Sequence, residues 1–486
     1  MIKFKDFSFK YNEKEDFTLK NINLTINEGE FILITGRSGC GKTTLIRTLN
    51  GLIPYFYPGE IKGELSFKGE SLIGINPSDL VGKIGMIFQD PRSQFFMTDT
   101  TREMAFGCEN IGLKSDETVE RISKATLELN LVEYLNRNIF ELSSGEKQQI
   151  AIGSVYALSP KVFIFDEPSA NLDYEAIKKL SSVMSDLKNK GYTIIVVEHR
   201  FYYLMDLIDK VYLMYDGEIK EKFIGDEFSL LDDDVRIEYG LRTTNPQKER
   251  YKFKDNCLYH KDAVLKVDNL SFHYKKGVPI FENISFEASF GDVIGVIGSN
   301  GAGKTTLISV LTGILKEKNG SVMYKGKKLS AKDRKNLSYL VMQDTDYQLF
   351  SDSVLKELTL GISENVALTA KDTLDKLNLS LYQDTHPAAL SGGQKQRVTV
   401  GAAIVKGSPV IYFDEPTSGL DYDSMIRVSE LIKTLSVQGN LVFVISHDCE
   451  FIVRTCSKIL RLSDKNTELQ TLSDGDHKLL LQEFFN

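Results

Sequence analysis

The sequence predicts an α/β chain that carries one domain twice, and three observations predict it. A glycine-rich loop set between an apolar run and an amphipathic run occurs at residues 36–44 and again at 298–306. Continuous β-branched runs alternate with helical segments, the pattern of a parallel sheet covered on both faces. The spacing between matching motifs also repeats: Lys42 and Lys304 lie 262 residues apart, Gln89 and Gln343 lie 254 apart, and Ser143/Ser391, Asp166/Asp414 and His199/His447 each lie 248 apart. The second copy is thus eight residues shorter before its glutamine (262 against 254) and six shorter after it (254 against 248). Deletions confined to intervening loops are what a duplicated domain shows.

At 486 residues the length alone suggests about three domains, but an internal repeat overrides that prior. The expected organisation is a first domain over 1–225, a linker over 226–262 and a second domain over 263–486. Periodicity fades between the copies. Residues 222–262 hold eight Lys/Arg and nine Asp/Glu, so this stretch is not a basic arm. The whole chain is mildly acidic, with 59 Lys+Arg against 67 Asp+Glu, which argues against a nucleic-acid coat or a polybasic membrane anchor. No run approaches ~18 apolar residues, and Met1-Ile2-Lys3-Phe4-Lys5-Asp6 lacks a signal-peptide core, so a soluble, cytosolic chain is expected. Five scattered cysteines (Cys40, Cys108, Cys257, Cys449, Cys456) with no Cys-x-x-Cys spacing indicate neither a disulfide framework nor a zinc site.

Each copy opens on an alternating stretch (Ile2, Phe4, Phe7, Phe9, Tyr11; Leu265, Val267, Leu270, Phe272, Tyr274) that reads as antiparallel strands at a sheet edge. Next come an apolar strand and the loops Gly36-Arg37-Ser38-Gly39-Cys40-Gly41-Lys42-Thr43-Thr44 and Gly298-Ser299-Asn300-Gly301-Ala302-Gly303-Lys304-Thr305-Thr306. Their glycines let successive N–H groups turn inward on a polyphosphate at a helix N-terminus. Lys42 and Lys304 would reach the β- and γ-phosphates, and the hydroxyls of Thr43 and Thr305 would ligand Mg²⁺. Cys40 reads as a small residue in a tight turn; alkylating it should fill the phosphate nest, with ATP protecting it. Another apolar run ends at Gln89 or Gln343. A polar, helical region follows, about 90–159 and 344–408, in which Ser143-Ser144-Gly145-Glu146 and Ser391-Gly392-Gly393-Gln394 each open a helix with a hydroxyl and free N–H groups. Buried-looking strands then end in Asp166-Glu167 and Asp414-Glu415, and the next strands end in His199 and His447. A single Asp-Glu pair or strand-end histidine is ordinary, but recurrence at one offset is not.

With these motifs in place, both halves resemble ATP-binding cassette ATPase domains, and the resemblance covers nearly the whole chain. It implies two phosphate-loop NTPase domains, each with a RecA-like sheet core, an antiparallel β edge and a helical lobe, with ATP and Mg²⁺ bound in each. Asp166 and Asp414 would hold the Mg²⁺ hydration shell, and Glu167 and Glu415 would be general bases for the attacking water. His199 and His447 would link that water to the γ-phosphate. Gln89 and Gln343 would touch Mg²⁺ or water and hinge the helical lobe, and Tyr11 and Tyr274 would stack on adenine. In the family the Ser-Gly segment contacts the γ-phosphate held by the opposite domain, head to tail. Two composite sites would follow: one from Lys42, Glu167 and His199 with Ser391, Gly393 and Gln394, the other from Lys304, Glu415 and His447 with Ser143, Gly145 and Glu146. The loops 169–173 and 417–421 match the family's cross-interface aspartate motif. Ser144 and Glu146 depart from the usual glycine and glutamine, so the site on Lys304 would receive an acid that weakens ATP modestly or slows turnover. Unequal but competent sites are expected.

The resemblance also places the chain within the family. After each hinge glutamine a second glutamine recurs five residues on, Gln94 and Gln348, a pattern similar to the ATPases of energy-coupling factor importers of vitamins and transition-metal ions. That implies a membrane scaffold protein and a small substrate-binding membrane protein as partners, no nucleic acid, and a peripheral position on the cytoplasmic face of the cell membrane. The fusion departs from that group's usual pair of separate ATPase chains. Two alternatives stand beside it. Sugar-importer ATPases share the layout but commonly carry one degraded site. Soluble tandem cassettes that act on ribosomes would be expected to carry a strongly charged insert and a basic RNA-contacting surface.

Overall fold

A computed structural model of the chain describes residues 1–246, 263–274, 278–343, 345–362, 367–462 and 467–472. Residues 247–262 of the expected linker, with Cys257, and Asp344 lie outside the described residues. The chain divides into two compact units, Met1–Pro246 with Gly419–Asp423, and Gln247–Ser418 with Ser424–Asn486.

In the first unit six strands form one sheet in the order Glu218–Ile224, Lys210–Tyr215, Phe31–Gly36, Thr193–Val197, Val162–Asp166, Ile84–Ile87. All neighbours run parallel except the first two. Because side chains alternate along a strand, adjacent residues enter different cores. Phe31, Leu33, Phe163, Phe165, Ile194 and Val196 face one cluster with Met104, Ile150, Leu180 and Met184 from helices. Ile32, Ile34, Val162, Ile164, Ile195 and Val197 face the other, with Leu45 and Ile46 of the helix after the glycine loop and Ile2, Phe4, Phe7 and Phe9 of the opening strand. That two-sided burial is why these runs are continuously apolar.

The opening strands differ from the expectation of a sheet edge. Ile2–Tyr11 pairs antiparallel with Leu19–Ile26 and Gly59–Phe67 in a separate four-stranded sheet. Their alternation is that of a sheet with one dry face, and the dry face packs on the parallel sheet. Helices Thr100–Asn110, Ser115–Glu128 and Ser144–Ala157 form the helical lobe. Beyond the last strand, short helices Gly225–Ser229 and Asp233–Glu238 occupy the start of the expected linker.

The second unit repeats the plan. Its six-stranded sheet runs Ser338–Val341, Val410–Asp414, Leu441–Ile445, Val293–Ile297, Lys458–Leu462, Thr467–Thr471, and its antiparallel sheet is built on Ala263–Phe272. Helices Val354–Thr359, Ala367–Lys376 and Gly392–Lys406 form its lobe. The first is shorter than its counterpart, in the interval where the sequence is six residues short. Among the described residues no helix is long and apolar enough to cross a membrane.

Candidate ATP sites

The centre of the first unit gathers at the carboxyl edge of its parallel sheet. Gly36 ends the central strand with φ 143°, where a Cβ would meet the Met214 carbonyl oxygen at 2.2 Å, so glycine alone lets the chain turn there. Gly39 and Gly41 continue the turn at φ 79° and 104°. Lys42 opens the following helix, is 5% exposed, and donates from Nζ to the carbonyl oxygens of Gly36 and Arg37, both at 2.9 Å. The ammonium is thereby aimed over the loop where phosphate oxygens would lie. The Tyr11 hydroxyl lies 3.1 Å from Thr44 Oγ1, fixing the aromatic beside the loop helix. The second unit repeats each contact: Lys304 Nζ donates to Gly298 O at 2.8 Å and Ser299 O at 2.9 Å, and the Tyr274 hydroxyl lies 3.3 Å from Thr306 Oγ1.

Asp166 and Glu167 lie at the end of the strand Val162–Asp166, which is separated from the central strand by Thr193–Val197. Asp166 is buried, and burial first, then the charge of Glu167, push its carboxyl up to about 7, against the opposing pull of Arg47 and Lys42. Asp414 is likewise raised by burial, with a hydrogen bond from Thr305 working the other way. Glu167 and Glu415 both hold the left-handed region, at φ 43° and 50°. Such a backbone is costly for a non-glycine residue and is concentrated at functional sites. It turns each carboxylate off the strand toward the histidine: His199 Nε2 lies 3.5 Å from Glu167 Oε1, and His447 Nε2 lies 3.5 Å from Glu415 Oε1. Gln89 Nε2 donates to Glu167 Oε2 at 2.7 Å, and His447 Nε2 lies 3.1 Å from Asn300 Oδ1. One half of each expected site is therefore assembled within its own unit.

The Ser-Gly segments behave as helix starts. Ser143 caps Ser144–Ala157 and Ser391 caps Gly392–Lys406, each in a reciprocal capping box with Glu146 or Gln394. Gly145 packs so closely on the helix Tyr174–Asn189 that a Cβ would lie 2.7 Å from that of Ala176, whereas Gly393 faces open space. Glu146 is not aimed outward as an unpartnered acid. Its Oε2 accepts from Ser143 N at 2.7 Å, and its Oε1 lies 3.3 Å from Arg137 Nη1. Burial would raise this carboxyl, but the Ser143 N–H and Arg137 outweigh it and hold it low.

Three contacts around these residues were not legible in the sequence. Arg137 neutralises Glu146, while 248 residues on Thr385 and the uncharged Gln394 stand at the matching positions. Gln94 Oε1 accepts from Phe88 N at 3.3 Å, and Gln348 Oε1 accepts from Met342 N at 3.0 Å, so the second glutamine braces the backbone around the first. Glu103 Oε2 accepts from Phe96 N and Met97 N at 2.9 and 2.7 Å, and Glu357 Oε2 from Phe350 N and Ser351 N at 3.0 and 2.7 Å. The shared offset of 254 between Glu103 and Glu357 was the available signal.

The fold and the paired loops define a class, the phosphate-loop nucleoside triphosphatases, here built twice. The family model described as ABC transporter matches residues 19–170 and 281–418. A Treponema denticola protein provisionally named an ABC transporter ATP-binding protein is 40% identical over 475 residues, covering 96% of this chain and 95% of its own. A Methanosarcina mazei protein of the same provisional name is 32% identical over 475 residues, covering 95% and 93%. Among solved structures, a model of ribosome-bound archaeal Pelota and ABCE1 matches with TM-score 0.69 at 20% identity over 99% of this chain and 80% of that one, a likeness of fold. The chain belongs to the ABC transporter family, with its ATP-binding domain present twice, and ATP hydrolysis is the activity that membership carries.

Proposed function

We propose that this chain is the ATP-hydrolysing subunit of a membrane importer of the energy-coupling factor type, with two composite sites formed head to tail. Lys42 and Lys304 bind the β- and γ-phosphates, and Tyr11 and Tyr274 stack on the base. Glu167 and Glu415 take the proton of the attacking water, and His199 and His447 hold that water against the γ-phosphate. Ser391, Gly393 and Gln394 complete the first site, and Ser143, Gly145 and Glu146 the second. Thr43, Gln89 and Asp166, with Thr305, Gln343 and Asp414, offer the hard oxygen donors that suit Mg²⁺. A buried carboxyl raised to about 7 is also one that a cation returns to its charged form. Mg²⁺ bound there supplies charge neutralisation of the phosphate oxygens.

The observation that carries the importer reading is the segment after each hinge glutamine. Gln94 and Glu103 in one unit, and Gln348 and Glu357 in the other, fasten its backbone and leave Phe96 and Phe350 73% and 76% exposed. A braced, exposed aromatic beside the hinge in both copies suits the helices of a membrane scaffold, which would feel the hinge move as ATP is bound and split. Purification from detergent-solubilised membranes tests this. A multi-pass membrane protein should be captured by the parent and lost with Phe96→Asp and Phe350→Asp together. Ribosomal RNA in its place would favour a soluble tandem cassette and overturn the importer.

A further inference from the structure

Glu198 lies directly before His199, is 2% exposed, and has no part in the chemistry above. Its carboxylate gathers four donors. Oε1 accepts from Ser169 N at 3.1 Å and the Tyr203 hydroxyl at 3.0 Å, while Oε2 accepts from His199 N at 2.8 Å and Arg200 N at 3.4 Å. The Arg200 guanidinium donates to the Ser169 carbonyl oxygen, so both backbone groups of Ser169 are held from the histidine loop. The backbone of Glu198 reaches the central strand: its N–H donates to Ile34 O at 3.3 Å, and its carbonyl accepts from the Thr35 hydroxyl at 2.9 Å. Ile34 and Thr35 lead directly into the phosphate loop. One buried side chain and its own peptide thus join the strand feeding the phosphates, the loop just after Glu167, and the loop carrying His199.

The second unit solves the same problem differently. Ser446 stands where Glu198 does and Thr417 where Ser169 does, each 248 residues on. Thr417 Oγ1 lies 3.4 Å from Ser446 Oγ, which accepts from Asp448 N at 3.1 Å. These are neutral hydroxyl contacts, and the histidine N–H that Glu198 receives in the first unit is donated in the second by His447 to Glu415 Oε2 at 3.3 Å. A carboxylate receiving backbone N–H groups in a buried setting is both stronger and more directional.

We propose that Glu198 is the positioning residue of the first ATP site, holding His199 and the Glu167 loop in the one relation that water attack requires. The two units then hold the histidine loop by different means: in the first a carboxylate with no other role, in the second a hydroxyl pair together with the Glu415 carboxylate. Small displacements of catalytic groups lower turnover far more than substrate binding. The inference rests on the reading of Glu167 and His199 as base and switch.

The test is steady-state ATP turnover of the full chain with the second site silenced by Glu415→Gln, this protein serving as the parent for variants that add Glu198→Gln, Glu198→Ser, or Glu198→Ser with Ser169→Thr, which installs the second unit's pair. Glu198→Gln keeps the shape but turns an amide toward backbone donors. It and Glu198→Ser should lower kcat about fivefold or more while KM for ATP moves less than about threefold, and the double variant should regain most of the lost kcat. Thermal unfolding of each variant confirms that folded protein is compared. Turnover of both single variants within about twofold of the parent overturns the proposal, as does a double variant no better than Glu198→Ser. Glu167→Gln, assayed alongside, separates the two readings. If it turns over like the parent, the site reading fails; if it is inactive while the Glu198 variants match the parent, only the role of Glu198 fails.

Discussion

At the scale of the residue, the difference between the two Ser-Gly segments is charge compensation. Glu146 brings a carboxylate to a place where its counterpart is Gln394, but Arg137 lies 3.3 Å from it and Thr385 takes the arginine's place in the other copy. The expectation of a weakened second site is therefore narrowed. Glu146→Gln should change ATP turnover less than about twofold, Arg137→Ala should lower it about two- to fivefold at low salt, and the double variant should return toward the parent. Turnover measured at two ionic strengths checks this, since the effect of Arg137→Ala should shrink as salt rises. The same pair sets a pH dependence. Because the folded carboxyl is held below its ordinary 4.5, its contribution to stability is present above that value and is lost as pH falls through the folded one. The melting-temperature difference between parent and Glu146→Gln should accordingly close on acidification below about pH 4.5. Cys40 leads to a revised expectation. It is buried, burial pushes its thiol up, and Ala302 stands in its place in the second loop. Thiol reagents should label it slowly, and Cys40→Ala should leave ATP turnover within about twofold of the parent.

At the scale of the element, the segment between hinge and helical lobe depends on one buried acid per copy. Glu103 is 4% exposed and receives two backbone N–H groups through one oxygen. Glu103→Leu would leave both donors unmatched and should destabilise the protein by about 2–3 kcal/mol, whereas Glu103→Gln keeps an acceptor and should cost about 1 kcal/mol or less. Amide exchange at Phe96 and Met97 should quicken in the leucine variant; unchanged exchange there would remove Glu103 from the role. These elements also show how far the sequence could be read. The parallel strands were legible because residues such as Phe163 and Ile164 serve opposite cores, leaving no polar position in the run. The antiparallel strands were legible as strands but not as a separate sheet, because alternation reports one dry face without naming what covers it. Lys42, Glu167 and His199 could be found because each has an identical residue at a matching offset. Glu198 could not, because Ser446 stands opposite it and a carboxylate before a histidine reads as an ordinary strand end. Arg137 escaped for the same reason, since Thr385 stands at its matching offset.

At the scale of the whole molecule, the proposal of composite sites makes the covalent link between copies a functional part. Each cassette brings a lysine, a glutamate and a histidine together within its own unit, while the serine and glycine proposed to complete that centre belong to the other copy. Two such halves on separate chains must meet by diffusion, whereas on one chain each meets the other at an effective concentration of about millimolar for a linker of suitable span. Turnover per mole of intact chain should therefore be independent of protein concentration over about a hundredfold dilution. A protease site placed within residues 247–262 offers the contrast. After complete cleavage the same preparation should keep its activity when concentrated and lose it progressively on dilution to nanomolar protein, with activity returning on reconcentration. If cleaved protein instead turned over ATP at the parent rate at every dilution, each cassette would be sufficient alone, and Ser143 and Ser391 would have no claim on the opposite nucleotide.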